Sequence, residues 1–196
     1  HDAGSLSDLL TRGLGESPEL NVRGRRVLLK PNLVEVDAAG VINTHPLVVH
    51  AAIEAFRRAG AAEVIVGEGP GHRRDTEYLL LETELGPVLR DTGARFVDLN
   101  LDDVTRVPLL GRFGDLGSLY LPNTLLDSEL LVSMPKLKTH HWAGVTLSMK
   151  NMFGIVPGSV YGWPKNALHM AGIGNSILDI NATLARRDRF AIVDGI

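Results

Sequence analysis

The chain contains no cysteine, which excludes disulfides, thiolate catalysis and cysteine-held iron–sulfur clusters within it. It has no apolar run near the roughly 18 residues needed to span a bilayer, and no secretory-signal pattern is visible. Charge of one sign is also missing in bulk. A formal net charge of −3 and a pI near 6.2 give no global attraction to nucleic acid or to an acidic membrane, so any anion must be held by local arrangement. The expectation is a cytoplasmic protein with neither a nucleic-acid nor a membrane partner.

Lysine is scarce. There are five lysines against fifteen arginines, and solvated faces use arginine, as at Arg57-Arg58, Arg73-Arg74 and Arg186-Arg187. Four of the five lysines (Lys136, Lys138, Lys150 and Lys165) fall between positions 136 and 165. Lysine is a compact point cation that can deprotonate and arginine is not, so this bias points to a site. Its centre is Met134-Pro135-Lys136-Leu137-Lys138-Thr139-His140-His141, which leaves the apolar run Leu130-Leu131-Val132 and continues into Thr146-Leu147-Ser148-Met149-Lys150-Asn151. The run reads as a buried central strand, which puts the cations and imidazoles at a strand's end.

The rest of the chain alternates strand and helix. Ser5 to Leu14 has helical apolar spacing and stops at Gly15; Arg26-Val27-Leu28-Leu29 reads as a strand broken at Lys30-Pro31-Asn32. Thr44 is the expected N-cap of a helix with Pro46 just inside it and Gly60 after it, followed by the strand Glu63-Val64-Ile65-Val66. This strand, helix, strand order is a βαβ unit. A second helix starts near Asp75-Thr76, breaks at Gly86-Pro87, and precedes the strand Ala94 to Asp98. Residues 104–121 read as a hairpin around a glycine-rich turn; a short helix is expected near Asn151, an irregular segment from Gly154 to Pro164, and a last helix on Ile173, Ile177, Ile180 and Leu184. The fold class is therefore α/β, a mostly parallel sheet with flanking helices and an added β-hairpin. Residues 1–196 make a single domain, and the strand and turn at Phe190 to Gly195 suggest a piece of a longer chain.

In an open parallel sheet, ligands bind outside the carboxyl ends of the strands. Lys30-Pro31-Asn32, Gly67-Glu68-Gly69, Asp98-Leu99-Asn100, Lys136 to His141 and Asp194-Gly195 should therefore be neighbours. The first of these can offer a cation and an amide to a carboxylate or phosphate, or can simply end a strand. Gly67-Glu68-Gly69-Pro70-Gly71 reads as a tight turn, because it lacks both the dinucleotide spacing and the P-loop lysine. His45 and His50 read as packing or surface residues, and His72 beside Arg73-Arg74 as solvated. Lys136, Lys138, His140, His141, Lys150 and His169 gather three cations and three imidazoles, with Asp179 and Asp194 as the candidate balancing carboxylates. Close together they depress one another's pKa, which suits proton transfer, Schiff-base chemistry or metal ligation. The bland alternative is a basic patch balanced by carboxylates elsewhere.

Several segments resemble the family known as domain of unknown function 362. They are Val27-Leu28-Leu29-Lys30-Pro31-Asn32, Gly60-Ala61-Ala62-Glu63-Val64, Pro135-Lys136-Leu137-Lys138-Thr139-His140, Val145 to Asn151, Pro157-Gly158, His169 and Val193-Asp194-Gly195-Ile196. Members are often associated with ferredoxin-type iron–sulfur segments, which implies a ferredoxin-type partner; the absence of cysteine here departs from that pattern. A shorter set, His140, Ala143-Gly144, Lys150, Pro157-Gly158 and His169, is similar to the site of the lactate racemase family. That likeness implies Lys150 as the lysine carrying a nickel-pincer cofactor, His169 as a metal ligand and His140 as the proton-moving base.

The resulting expectation is an enzyme that binds a small organic anion, with or without a metal (nickel or iron) or a metal-containing cofactor, for isomerase, racemase or redox chemistry on an organic acid. Lys138, His140 and Lys150 are the candidate catalytic residues, Lys30, Asn32, Lys136, Thr146 and Asn151 the cofactor-binding residues, and His141 and His169 the metal ligands. The alternative is a non-catalytic metal- or anion-binding module that acts with a redox partner. Lys150 is the lysine whose exchange for arginine should matter, because arginine cannot deprotonate. Lys165, in the looser segment Trp163-Pro164-Lys165-Asn166, should tolerate that exchange.

Overall fold

The computed structural model describes residues 2–37, 41–71, 75–163 and 165–196, so His72, Arg73 and Arg74 lie outside the described residues. The strands are β1 (Arg26–Pro31), β2 (Glu63–Glu68), β3 (Arg95–Asp98), β4 (Val104–Pro108), β5 (Ser118–Pro122), β6 (Leu130–Met134), β7 (Lys138–His140), β8 (Gly144–Thr146) and β9 (Asp188–Ala191). The helices are α1 (Ala3–Gly15), α2 (Pro46–Arg58), α3 (Thr76–Glu82), α4 (Leu85–Thr92), α5 (Asn123–Asp127), α6 (Ser148–Asn151), α7 (Gly158–Tyr161), α8 (Asn166–Met170) and α9 (Ile173–Thr183), with a 3-10 turn at Met152–Ile155. Five strands form one all-parallel sheet in the order β3-β2-β1-β6-β9. The central strand is thus β1, and the Leu130 run lies beside it.

Both faces of the sheet are covered, as a parallel sheet requires, because its crossover helices lie on the faces. Period-two alternation sends Val27 and Leu29 with Val64, Val66, Leu130 and Val132 toward α1, α2 and α4. It sends Leu28, Ile65 and Leu131 the other way, against Leu99, Leu119, Leu121, Leu125, Phe153 and Ile180. The residues between these faces at the strand ends are polar, and they open on the site.

Local chemistry sets the helix ends. Asp2 caps α1, its Oδ1 accepting from Ser5 N at 2.9 Å, so the helix starts earlier than Ser5. The cap of α2 is His45, whose Nδ1 accepts from Leu47 N at 3.1 Å, and not Thr44. Pro46 occupies the first helical position, so the cap is the residue before it. Thr44 instead bridges two strand exits: its Oγ1 accepts from Asn32 N at 2.7 Å and donates to Met134 O at 2.6 Å.

Strands β4 and β5 pair antiparallel over residues 104–122, as a two-stranded ribbon separate from the core sheet. A second ribbon, β7 with β8, was not expected. Lys138 pairs with Thr146 and His140 with Gly144, so the lysine–histidine stretch is one arm of a tight hairpin. Among the described residues, no helix is long and apolar enough to cross a membrane.

Candidate functional site

A cavity of about 300 Å³ opens beyond the carboxyl ends of β1 and β2, where the chain leaving β6 returns as the β7–β8 hairpin. Lys30, Asn32, Lys138, His140, His141, Thr146, Lys150, Asn151 and His169 all line it, together with Glu68, Phe153, Trp142 and Lys165. Lys136 does not. Its ammonium turns to Asp194 at 3.4 Å and to the Ile196 carbonyl, both reached through a parallel bridge between Lys136 and Asp194. Lys136, expected among the cofactor-binding residues, is thus placed outside this cavity's lining, in an ion pair that ties the exit of β6 to the segment around Asp194. The two expected balancing carboxylates are engaged elsewhere: Asp194 also accepts from His45 N at 2.8 Å, and Asp179 accepts from Phe113 N and Gly114 N at 3.0 Å each.

The floor of the cavity is a closed polar knot. Glu68, 2% exposed, is ion-paired through Oε2 to Lys30, 1% exposed. The same Oε2 accepts from Leu33 N at 3.1 Å, and Oε1 accepts from Gly69 N at 2.8 Å. Lys30 Nζ also donates to Pro31 O at 2.8 Å and to Asn151 Oδ1 at 2.9 Å. Asn151 Nδ2 completes the knot on Lys30 O at 3.0 Å and Ser133 Oγ at 3.1 Å. Burial pushes the Lys30 pKa down and the Glu68 charge opposes it. Every donor of that ammonium is taken, so Lys30 and Asn151 shape the wall and leave ligand contact to others.

Gly154 lies against this knot. A Cβ added there would collide with Glu68 Oε1 and sit 2.7 Å from Lys30 Nζ. Neither atom can retreat without breaking a buried ion pair. Gly154→Ala is expected to cost roughly 1–3 kcal/mol in denaturant unfolding, the usual penalty of overpacking. A variant as stable as the parent would show that the knot is loose.

Lys165 overturns the expectation of a loose segment. It is 2% exposed, with a left-handed backbone at φ 67°. Its ammonium donates to Gly69 O and Gly154 O at 3.0 Å each, and to Phe153 O at 3.4 Å. Burial pushes its pKa down to about 7, opposed by Glu68, while three carbonyl acceptors favour the charged form. Lys165 therefore ties the turn after β2 to the Met152–Ile155 turn.

Two lysines remain toward the cavity interior. Lys138 is half-buried; its Nζ donates to Ile42 O at 2.6 Å, and burial lowers its pKa against the pull of Glu68. Lys150 lies 4.9 Å over the Phe153 ring, and no hydrogen bond joins it to a described residue. Burial, then the charge of Lys30, brings its pKa to about 8, with Glu68 opposing. Asn32 Oδ1 is buried at the same cavity with no donor among the described residues.

The imidazoles differ in tautomer. His140 Nδ1 accepts from Trp142 N at 3.2 Å and Ala143 N at 3.1 Å, which puts the ring proton on Nε2. Burial, then Lys150, lowers its pKa to about 4, so the ring is neutral near pH 7. A neutral imidazole with its lone pair committed to the hairpin is a hydrogen-bond donor, and the base role implied by the racemase likeness does not suit it. His169 is the reverse. Its Nδ1 lies 3.1 Å from Lys165 O, a carbonyl that can only accept, so the proton is on Nδ1 and the lone pair on Nε2. Its ring meets Phe153 and Trp142 edge-on, at 5.0 and 4.9 Å between centroids.

His141 stacks on His140 at 5.0 Å and contacts Trp142, so the Trp142 ring touches both imidazoles expected to hold a metal. Among the described residues no group of three or more His, Cys, Asp or Glu is arranged to hold a metal ion. The only acidic residue among the described cavity lining is Glu68, already paired. This donor set does not fit a nickel or iron ion held by protein ligands alone.

Sequence reasoning placed Glu68 at a strand end but missed it as the hub, and missed Lys165, Phe153 and Trp142. A carboxylate directly after the apolar run Val64-Ile65-Val66 and its glycine was the available signal for Glu68.

A thylakoid-associated protein of Synechocystis sp. is 29% identical over 174 residues, covering 83% of this chain and 50% of that protein. A crystal structure of a Thermotoga maritima protein superposes with a TM-score of 0.56 at 17% identity, over 95% of this chain and 50% of that one, which shows a shared fold. The chain thus spans about half the length of each. The sequence profile described as a domain of unknown function, number 362, matches residues 27–196, which takes in the whole cavity lining, so the chain belongs to that family.

Proposed function

We propose that the cavity is an active site that binds a small organic anion and moves a proton on it, in the manner of an isomerase or racemase. One observation carries this reading. Four of the five lysines (Lys30, Lys138, Lys150 and Lys165) line one cavity of about 300 Å³ whose only described acid, Glu68, is already paired. A buried excess of cations is costly unless an anion offsets it. Lys138 and Lys150 supply that charge. The His140 Nε2–H stabilises negative charge developing on an oxygen, and His169, with its lone pair on Nε2, takes the proton. Opposite tautomers on two imidazoles that line one cavity suit a site that must both donate and accept.

A ligand that binds only the folded chain raises its stability by mass action, by about 2.7 kcal/mol at a hundredfold excess over Kd. At roughly 2–4 °C per kcal/mol for a chain of this size, sulfate should raise Tm by about 5–10 °C over chloride at matched ionic strength. Lys138→Ala should remove most of the difference. Because a bound anion prefers charged lysine, the shift should be full below pH 8 and shrink as pH rises through the Lys150 pKa of about 8. Equal Tm values in the two salts would sink the reading. Proton movement is read separately, by deuterium entering the carbon beside the carboxylate of candidate organic acids. Binding without exchange would make the cavity a holding site that serves a redox partner.

A further inference from the structure

We propose that Lys150 is a nucleophile, and that the anion this cavity takes is an oxo acid whose carbonyl carbon forms an imine with its Nζ. The proposal rests on the anion-binding reading and goes beyond it by naming a bond and a substrate class.

Lys150 stands apart from the other lysines by what its nitrogen touches. Lys30 and Lys136 are ion-paired, Lys138 donates to a carbonyl, and Lys165 donates to three. Each of those nitrogens is turned onto protein acceptors, and Lys165, whose pKa burial lowers to about 7, is in addition only 2% exposed, so none of them is as well placed as Lys150 to meet a carbonyl carbon in the cavity. Among the described residues Lys150 has the face of Phe153, at 4.9 Å, and no hydrogen-bond acceptor. The ring attracts an ammonium, but it offers no carboxylate or carbonyl oxygen to hold the proton, and the desolvation it shares in acts against the charged form. Burial and the nearby charges of Lys30 and Lys138 act in the same sense.

The surroundings suit a carbonyl compound that also carries a carboxylate. Lys138 offers a cation for the carboxylate. The His140 Nε2–H, fixed by the backbone bonds to its Nδ1, is a neutral donor able to polarise a carbonyl oxygen. Asn32 Oδ1, buried and without a donor among the described residues, can accept from the hydroxyl that the addition creates.

The step balances without an oxidant or reductant. The Lys150 lone pair forms the C–N bond while the carbonyl π pair moves to oxygen, and the nitrogen's proton passes to that oxygen to give a carbinolamine. The hydroxyl then leaves as water with a proton taken from solvent, and the nitrogen lone pair closes the C=N bond. The products from amine, carbonyl and that proton are a protonated imine and water.

The test treats the full chain at pH 7 with glyoxylate and sodium cyanoborohydride, which reduces any imine to a stable secondary amine, and maps the adduct by peptide mass spectrometry. An amine of pKa about 8 has roughly 230 times the neutral fraction at pH 7 of an ordinary lysine near 10.4, and Lys165, whose pKa is lower still, is 2% exposed with its nitrogen packed on three carbonyls and out of a reagent's reach, so the adduct should fall on Lys150 at least tenfold more than on any other lysine. The amino terminus reports unassisted reaction. Lys150 should outpace it with glyoxylate but not with acetaldehyde, which lacks the carboxylate, and sulfate should suppress the reaction at Lys150 alone. Lys150→Met should lose that adduct and keep the one at the amino terminus. If this variant does not fold, mapping of the parent still decides. Adducts spread evenly over the lysines overturn the proposal. Glyoxylate that raises Tm without labelling Lys150 overturns the imine and leaves anion binding standing; glyoxylate that does neither overturns both.

Discussion

Replacing Glu68 with glutamine is expected to destabilise the protein by about 3–5 kcal/mol, the range seen when one partner of a buried ion pair is removed. The shape barely changes, so the loss is electrostatic. The side chain that remains keeps an acceptor for one of its backbone donors, Leu33 N or Gly69 N, but leaves the 1%-exposed Lys30 ammonium without a counter-charge. At roughly 2–4 °C per kcal/mol, Tm should fall by about 6–20 °C. Apolar replacement of both partners, Glu68→Leu with Lys30→Met, removes the stranded charge but leaves Leu33 N, Gly69 N, Pro31 O and Asn151 Oδ1 without their partners, so it should not restore the parent's stability. A Glu68→Gln variant that melts within about 2 °C of the parent would show that Lys30 is not held as a cation.

Lys165→Met is expected to cost roughly 2–4 kcal/mol in urea unfolding, although an apolar side chain of similar length replaces a buried charge. The carbonyls of Gly69, Phe153 and Gly154 converge on one nitrogen, and removing it strands buried acceptors at about 1–3 kcal/mol each where water cannot replace it. Lys165→Arg should be nearly as harmful. The planar guanidinium is larger than the ammonium and cannot aim three hydrogens at one point from a residue 2% exposed. An arginine variant within about 0.5 kcal/mol of the parent would restore the view of a tolerant loop. Loss of stability should travel with loss of the sulfate-induced Tm shift, since Lys165 joins two of the segments that wall the cavity.

Much of the fold was legible because it is written in short range. Val27-Leu28-Leu29 and Val64-Ile65-Val66 are apolar on both parities, which only a strand covered on both faces tolerates, and the strand–helix alternation predicts the parallel sheet that β1, β2, β3, β6 and β9 form. The lysine bias also carried through. Four of the five lysines stand around one cavity, and Lys30, far from the others in sequence, joins them because β1 ends where β2 and β6 end. What was misread locally had a competing cap or an unanticipated pairing. Pro46 moved the α2 cap from Thr44 to His45, and the three-residue arms of β7 and β8 are too short for an alternation pattern to register.

From the sequence by itself follow the fold class, the strand-end location of the site and its cationic character, since apolar periodicity and residue choice act over a few positions. Only the tertiary structure decided what each polar group does. Lys136 and Lys138 are two residues apart, yet one is consumed by Asp194 and the other faces the cavity. Lys165 reads as loop and is core, while Glu68 reads as a turn residue and is the hub of the floor. The two histidines took opposite tautomers because one meets backbone N–H groups and the other a carbonyl. A charge's partner, its burial and hence its protonation are set by strand register and by segments far away in the chain, 121 residues for Lys30 and Asn151, and no local pattern encodes that distance.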